Sequence, residues 1–171
     1  RSVGALTLIE NFHPDAVINT GIAGGTGGGA GVLDVVIGRE VAYHDVWYGP
    51  GNAPGQVQGH PERYEGATAL FDIRSLCADP NVKIGLIASG DKFVSTPGDL
   101  EAVLRVQPEA VAVDMESGAI AQVCHLRNVP FLAIRVVSDT PGVENHLQQY
   151  GDFWSLAPKS TFGVLRRLLS A

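Results

Sequence analysis

The chain has 171 residues, 45% of them hydrophobic, with 12 basic against 18 acidic side chains and a net charge of −6. That length suffices for one domain with a sizeable core, and the acidity excludes the basic face that nucleic acid or an anionic membrane needs. No apolar run approaches the roughly 20 residues of a membrane span, no signal peptide is read at Arg1, and Cys77 and Cys124 are too isolated for a disulfide framework, which points to a reducing, cytoplasmic setting.

Residues 4–10 read as the middle or end of an amphipathic helix with no cap before it. Residues 16–20 form a strand that runs into a glycine-rich stretch, 21–31. Within it, Gly25-Thr26-Gly27-Gly28-Gly29-Ala30 fits the dinucleotide fingerprint, with Asp45 about 20 residues on. That fingerprint must open a helix, yet residues 32–37 are β-branched and strand-like. With no Gly-Lys-Ser/Thr either, neither an NAD site nor a P-loop is expected, and no cofactor is assigned. The glycines instead let backbone approach a ligand. Residues 40–45 close another strand. His44 and Asp45, as neighbours on it, point to opposite faces and read as structural or interface residues. A long loop, 46–65, opens with Trp47 and Tyr48.

A short helix is expected over 67–76, then a strand over 82–90 leading to Asp91-Lys92-Phe93-Val94. A helix follows over 97–105, with proline in its first turn. The chain ends in an amphipathic helix, about 153–169, whose Leu156, Phe162, Leu165 and Leu169 would cover the sheet, with Tyr150 just before it. His13, His60 and His146 are isolated, and Cys124-His125 lacks a second pair at ligand spacing, so no metal site is expected.

The centre of the chain is residues 111–121. Val111 and Val113 end a buried strand, Asp114 can cap the helix that follows, and Glu116 lies in its first turn, where the dipole favours negative charge. That helix runs to about His125. A second strand, Phe131–Asp139, carries Arg135, Val137 and Asp139 on one face. An arginine inside so apolar a strand requires an anion. Glu116 is the nearest candidate if the two strands are neighbours at their C-terminal ends, the edge where open α/β sheets bind ligands. The expected architecture is α/β: three layers, α/β/α, around a mixed, largely parallel sheet.

Five separated stretches carry a resemblance in order and spacing: Val17-Ile18-Asn19-Thr20-Gly21-Ile22-Ala23-Gly24-Gly25, Tyr43-His44-Asp45, Ala88-Ser89-Gly90-Asp91-Lys92-Phe93, Val113-Asp114-Met115-Glu116 and Arg135-Val136-Val137-Ser138-Asp139. Together they resemble the purine nucleoside phosphorylase/nucleosidase superfamily, and within it the 5′-methylthioadenosine/S-adenosylhomocysteine nucleosidases. The resemblance implies one nucleosidase-like domain over 1–171 that hydrolyses the N-glycosidic bond of those nucleosides to adenine and a thioribose. It implies Asp139, beside Ser138, as the acid that protonates the purine, provided its site raises its pKa. Glu116 would sit under the ribose, stabilising the oxocarbenium-like transition state and accepting its hydroxyl protons. Arg135 would orient Glu116 and the water or anion at C1′.

By the same resemblance, Ala23 and Gly24 line ribose and purine, Phe93 stacks on the base and Val94 meets it through its backbone. Met115 packs on the sugar, and Tyr150 closes the purine pocket. Asp114 stands where relatives often have Glu and, one methylene shorter, is expected to contact less. Ile22 replaces a serine that holds water or phosphate in many members, and so disfavours a phosphate oxyanion. The resemblance further implies a homodimer with the Trp47–Tyr48 loop at its interface. It also implies a few tens of residues ahead of the first helix, bearing a glutamate that activates the attacking water; nothing in this chain occupies that position. A phosphorylase, a futalosine-type hydrolase and a non-catalytic nucleoside-binding fragment remain open alternatives.

Overall fold

A computed structural model describes residues 2–70, 73–76, 78–141, 143–156, 163–164 and 166–167. In chain order the elements are α1 (Ser2–Phe12), β1 (Val17–Gly25), β2 (Val35–Tyr43), β3 (Tyr64–Glu65), a 3-10 turn (Thr68–Leu70), α2 (Ile73–Leu76), β4 (Val82–Ser89), α3 (Pro97–Val106), β5 (Ala110–Asp114), α4 (Ser117–Arg127), β6 (Phe131–Asp139) and α5 (His146–Leu156).

The strands form one mixed sheet in the order β3-β2-β4-β5-β1-β6, and β2 also pairs with β6, so the sheet closes on itself. The long pairings are parallel: β1 runs beside β6 from Val17↔Phe131 to Gly24↔Asp139, and β2 beside β4 from Val35↔Val82 to Tyr43↔Ser89. The antiparallel contacts, β1–β5, β2–β3 and β2–β6, span two or three residue pairs each. Strands covered on both faces should be apolar throughout rather than alternating; β6 is buried at all nine positions.

Alternation along the strands divides the core. Val36, Ala133 and Val137 face α1 and α4, where they meet Ala5, Ile9, Ile120 and Cys124. Val35, Ile37, Leu132, Ile134 and Val136 face the other way, against Ile73 and Leu76 of α2 and Phe153 of α5. Helices thus cover both faces, giving the expected three layers. Each fully buried Ile or Leu in them contributes about 1.5–3 kcal/mol. Among the described residues no helix is long and apolar enough to cross a membrane.

The structure corrects several expected boundaries. Residues 32–37 and 40–45 belong to one strand, β2. The apparent break is an irregularity between Gly38 and Glu40, where the pairing to β4 shifts by one, as an extra residue in one strand requires. β1 continues through Gly25, and the glycine-rich turn after it leads to a strand, not to a helix. The segment 67–76 is a 3-10 turn and then the short α2 rather than one helix. α4 starts at Ser117, which puts Glu116 at its N-cap position. The last helix starts earlier than read: α5 begins at His146 and so contains Tyr150. Its sequence, HLQQYGDFWSL, holds a glycine and few apolar residues in its first two turns, so hydrophobic periodicity alone does not mark its start. Phe162, Leu165, Leu169, Cys77 and the side chain of Leu156 lie outside the described residues.

Candidate active site

A cavity of about 280 Å³ opens at the C-terminal ends of β1, β4, β5 and β6. β1 contributes Ala23 and Gly24, the turn after β4 contributes Phe93 and Val94, and the β5–α4 junction contributes Asp114, Met115 and Glu116. β6 contributes Ser138 and Asp139, and α5 contributes Tyr150. Every residue expected to touch a ligand therefore lines one pocket. Arg135 does not line it; it lies behind Asp114. Four further lining residues, Ile22, Lys92, Val113 and Pro141, were not assigned as site residues from the sequence. Pro141 reaches the wall because Gly24 leaves room: a Cβ there would stand 3.0 Å from the proline Cγ.

Asp139 owes its placement to a strand irregularity. β6 pairs with β1 in register up to Ala23↔Val137, then resumes at Gly24↔Asp139. Ser138 is the extra residue, and such a bulge re-aims the side chain beside it. The Ser138 Oγ lies 2.5 Å from Asp139 Oδ1 and 3.2 Å from the Ala23 carbonyl oxygen. A hydroxyl carries one proton and also accepts. Turned to Asp139, that proton steadies a carboxylate; turned to Ala23, it leaves the hydroxyl oxygen to accept from a protonated Asp139. The pair therefore accommodates either protonation state of a residue that is only 4% exposed.

Arg135, 1% exposed, takes an anion as its burial demands, but the anion is Asp114 and not Glu116. Its Nε donates to Asp114 Oδ2 at 2.7 Å. One terminal nitrogen donates to the carbonyls of Asn19 and Ile134, at 2.8 and 3.1 Å. The other donates to the Asn19 side-chain oxygen and to Ser117 Oγ. A guanidinium has five N–H donors, and these five bonds use them all. Asp114 in turn accepts from the Ser117 amide and, at 2.5 Å, from the Ser117 hydroxyl. The shorter carboxylate does not contact less, as its length suggested; it sits deeper, and Ser117 bridges it to the arginine. One salt bridge and a shared hydroxyl thereby lock β5, β6 and the start of α4 together.

At the mouth, Phe93 is 50% exposed and meets Tyr150 edge-on, ring centroids 6.3 Å apart at 82°. Two rings at such an opening offer faces to a flat, apolar ligand. Beside the pocket, Asp45 Oδ2 accepts from the Asp91 amide at 2.6 Å, bracing the turn that carries Phe93. Trp47 and Tyr48 stand 66% and 56% exposed on their loop. Among the described residues no cluster of three or more His, Cys, Asp or Glu is placed to hold a metal ion.

The profile of the phosphorylase superfamily matches residues 2–170. The 5′-methylthioadenosine/S-adenosylhomocysteine nucleosidase of Hydrogenovibrio crunogenus is 42% identical over 158 residues, covering 88% of this chain and 68% of that protein. The enzyme of the same name from a Geobacillus species is 41% identical, over 96% of this chain and 72% of its own length. Among solved structures, the Streptococcus pneumoniae nucleosidase with the transition-state inhibitor MT-ImmA superposes with a TM-score of 0.90 at 36% identity, covering 99% of this chain and 75% of that one. The Colwellia psychrerythraea nucleosidase in complex with adenine does so with a TM-score of 0.88 at 30% identity, over 99% and 72%. A shared profile over nearly the whole chain, identities above 40% and a common fold assign the protein to a family: it belongs to the 5′-methylthioadenosine/S-adenosylhomocysteine nucleosidases of the phosphorylase superfamily.

Proposed function

We propose that the pocket hydrolyses the N-glycosidic bond of 5′-methylthioadenosine and S-adenosylhomocysteine, releasing adenine and a 5-thioribose. Asp139 donates a proton to the purine as the bond breaks, so that the base leaves neutral. Glu116 faces the ribose, where a carboxylate offsets the positive charge developing at C1′ and accepts hydrogen bonds from the sugar hydroxyls. Met115 packs on the sugar, Ala23 and Gly24 let backbone approach it, and Phe93, Val94 and Tyr150 enclose the base. Ser138 serves Asp139 as proton partner. Arg135 and Asp114 hold the floor on which Glu116 stands rather than touching C1′.

The observation that carries hydrolysis over phosphorolysis is the saturation of Arg135. A phosphorylase must hold phosphate with cationic or amide donors, and the buried arginine of this floor has none left to give. Ile22, an apolar side chain on the pocket wall, adds to that bias. The assembly we propose is a homodimer, in which the exposed Trp47 and Tyr48 are covered by the second copy. Deleting the two residues should weaken self-association in sedimentation.

The test is adenine release from methylthioadenosine in phosphate-free buffer and again with phosphate added. Release at equal rates in both is the expected result. Release only with phosphate would make the protein a phosphorylase, and intact nucleoside bound without turnover would make it a binding module. Asp139→Asn should lower the rate by about 10²–10⁴-fold, the usual worth of a general acid, while adenine still binds. Near-normal turnover would remove Asp139 from its role.

A further inference from the structure

The inference concerns how the carboxylate of Glu116 is kept available, and it rests on the reading that Glu116 meets the ribose. The first N–H groups of any helix lack partners within it. At an N-cap position the side chain ordinarily folds back to accept from the second or third residue of the helix. Glu116 occupies that position in α4, with φ −122° and ψ −39°, and makes no such side-chain bond. Two strand ends supply the caps instead. Asp114, at the end of β5, accepts from the Ser117 amide at 3.2 Å. Ser89, at the end of β4 and 1% exposed, accepts from the Gly118 amide at 2.9 Å through its hydroxyl.

Gly118 is shaped to this contact. A Cβ on it would stand 2.7 Å from the Tyr43 ring and 3.1 Å from Ser89 Cβ. Only a glycine lets the first turn of α4 come close enough to β4 for a serine hydroxyl to reach its amide. The requirement of glycine and the presence of a buried acceptor are separate observations that meet at one bond.

We propose that Ser89 is a positioning residue for Glu116: it caps α4 from the neighbouring strand, and so holds the N-cap carboxylate toward the pocket instead of over its own helix. The Gly118 amide is the second residue of α4, the one an N-cap side chain reaches. Without the Ser89 hydroxyl that amide is a buried donor lacking an acceptor, a costly state, and Glu116 is the carboxylate in position to relieve it. Ser89 then competes with the ribose for Glu116 only by its absence.

The experiment compares two probes by calorimetry: methylthiotubercidin, a nucleoside with the full ribose, and adenine, which has none. In Ser89→Ala the nucleoside should bind about 10-fold more weakly, as expected for a misplaced charged hydrogen bond, while adenine affinity stays unchanged. Ser89→Cys, nearly equal in volume but a poor acceptor, should behave alike and stands in if the alanine variant does not fold. Glu116→Gln should weaken the nucleoside selectively, and adding Ser89→Ala or Ser89→Cys to it should cost little more, because residues acting through one another are not additive.

Nucleoside affinity unchanged in Ser89→Ala and Ser89→Cys, with Glu116→Gln impaired, would overturn the proposal while leaving the role of Glu116 standing. Full additivity, or an equal loss for adenine, would also overturn it, since Ser89 would then act on the pocket at large. An unimpaired Glu116→Gln would instead overturn the ribose reading itself.

Discussion

Two helices leave the functional edge of the sheet, and they solve the same problem differently. α3 caps itself: Thr96 accepts from the Asp99 amide at 3.1 Å, and Asp99 reaches back to the Thr96 amide at 3.1 Å, with Pro97 in the first turn. Its acid is committed to the cap and to Lys92 at the surface. α4 is capped by neighbouring strands, and the acid at its N-cap position lines the pocket. A helix that only closes a layer can use its first-turn carboxylate locally. A helix whose first turn bounds a ligand site has to draw its caps from elsewhere, and the buried Ser89, Asp114 and Ser117 are the residues that do so. Stability at α4 is therefore tied to the core, whereas stability at α3 is local.

The largest effect should come from breaking the α4 side at its root. Arg135→Met leaves the Asp114 carboxylate buried without its cation, a change that costs about 3–5 kcal/mol; urea denaturation should show the midpoint falling sharply. Pairing it with Asp114→Asn should recover part of the loss, and no recovery would mean that the arginine matters for its other contacts, to Asn19 and Ser117. On the α3 side, Thr96→Ala should cost only about 1 kcal/mol, the usual worth of an N-cap, and leave nucleoside affinity untouched. A nucleoside affinity that moved with Thr96 would show that the two caps are not independent.

The smallest effect is a pH dependence. The Lys92 ammonium, then the Thr96 hydroxyl and the backbone amides of Ser95 and Thr96, hold the Asp99 carboxyl well below the usual carboxylate range. A carboxyl lowered in the folded state stabilises above its unfolded pKa, about 3.9, and that contribution is lost as the pH falls below it. The wild-type chain should therefore show an acid-dependent loss of stability below about pH 4 that Asp99→Asn lacks. Matching acid slopes for the two proteins would remove Asp99 from the account.

The strands around the site were legible because their apolar runs admit little else: residues 131–139 were read as a strand and are one, β6. The pocket residues were legible through the resemblance, which places five stretches at one sheet edge. The partner of Arg135 was not. Alternation says which face a side chain takes, but it does not say which of two carboxylates, two residues apart, lies beneath it. The shorter Asp114 reaches Arg135 because Ser117 fills the difference, and a single serine in a small-residue helix gives no sign of that. Ser89 was equally silent: its hydroxyl matters only through the close approach of α4, which depends on packing between elements far apart in the chain. The start of α5 was missed because its first turns are polar and interrupted by Gly151.

The closure of the sheet has a consequence for how the site comes into being. The first residues of β2 pair with the end of β6, Val35 with Val136, about a hundred positions apart, and the Leu33 amide donates to the Val137 carbonyl. Asp139 stands only two residues beyond that junction. During synthesis the pocket cannot take shape until nearly all of the chain has emerged, because one of its walls is the last strand and that strand is anchored by the second. Contacts of such long reach slow folding. They also make the acid of the site one of the last parts of the molecule to be fixed, so that a chain able to protonate its substrate is a chain whose sheet has already closed.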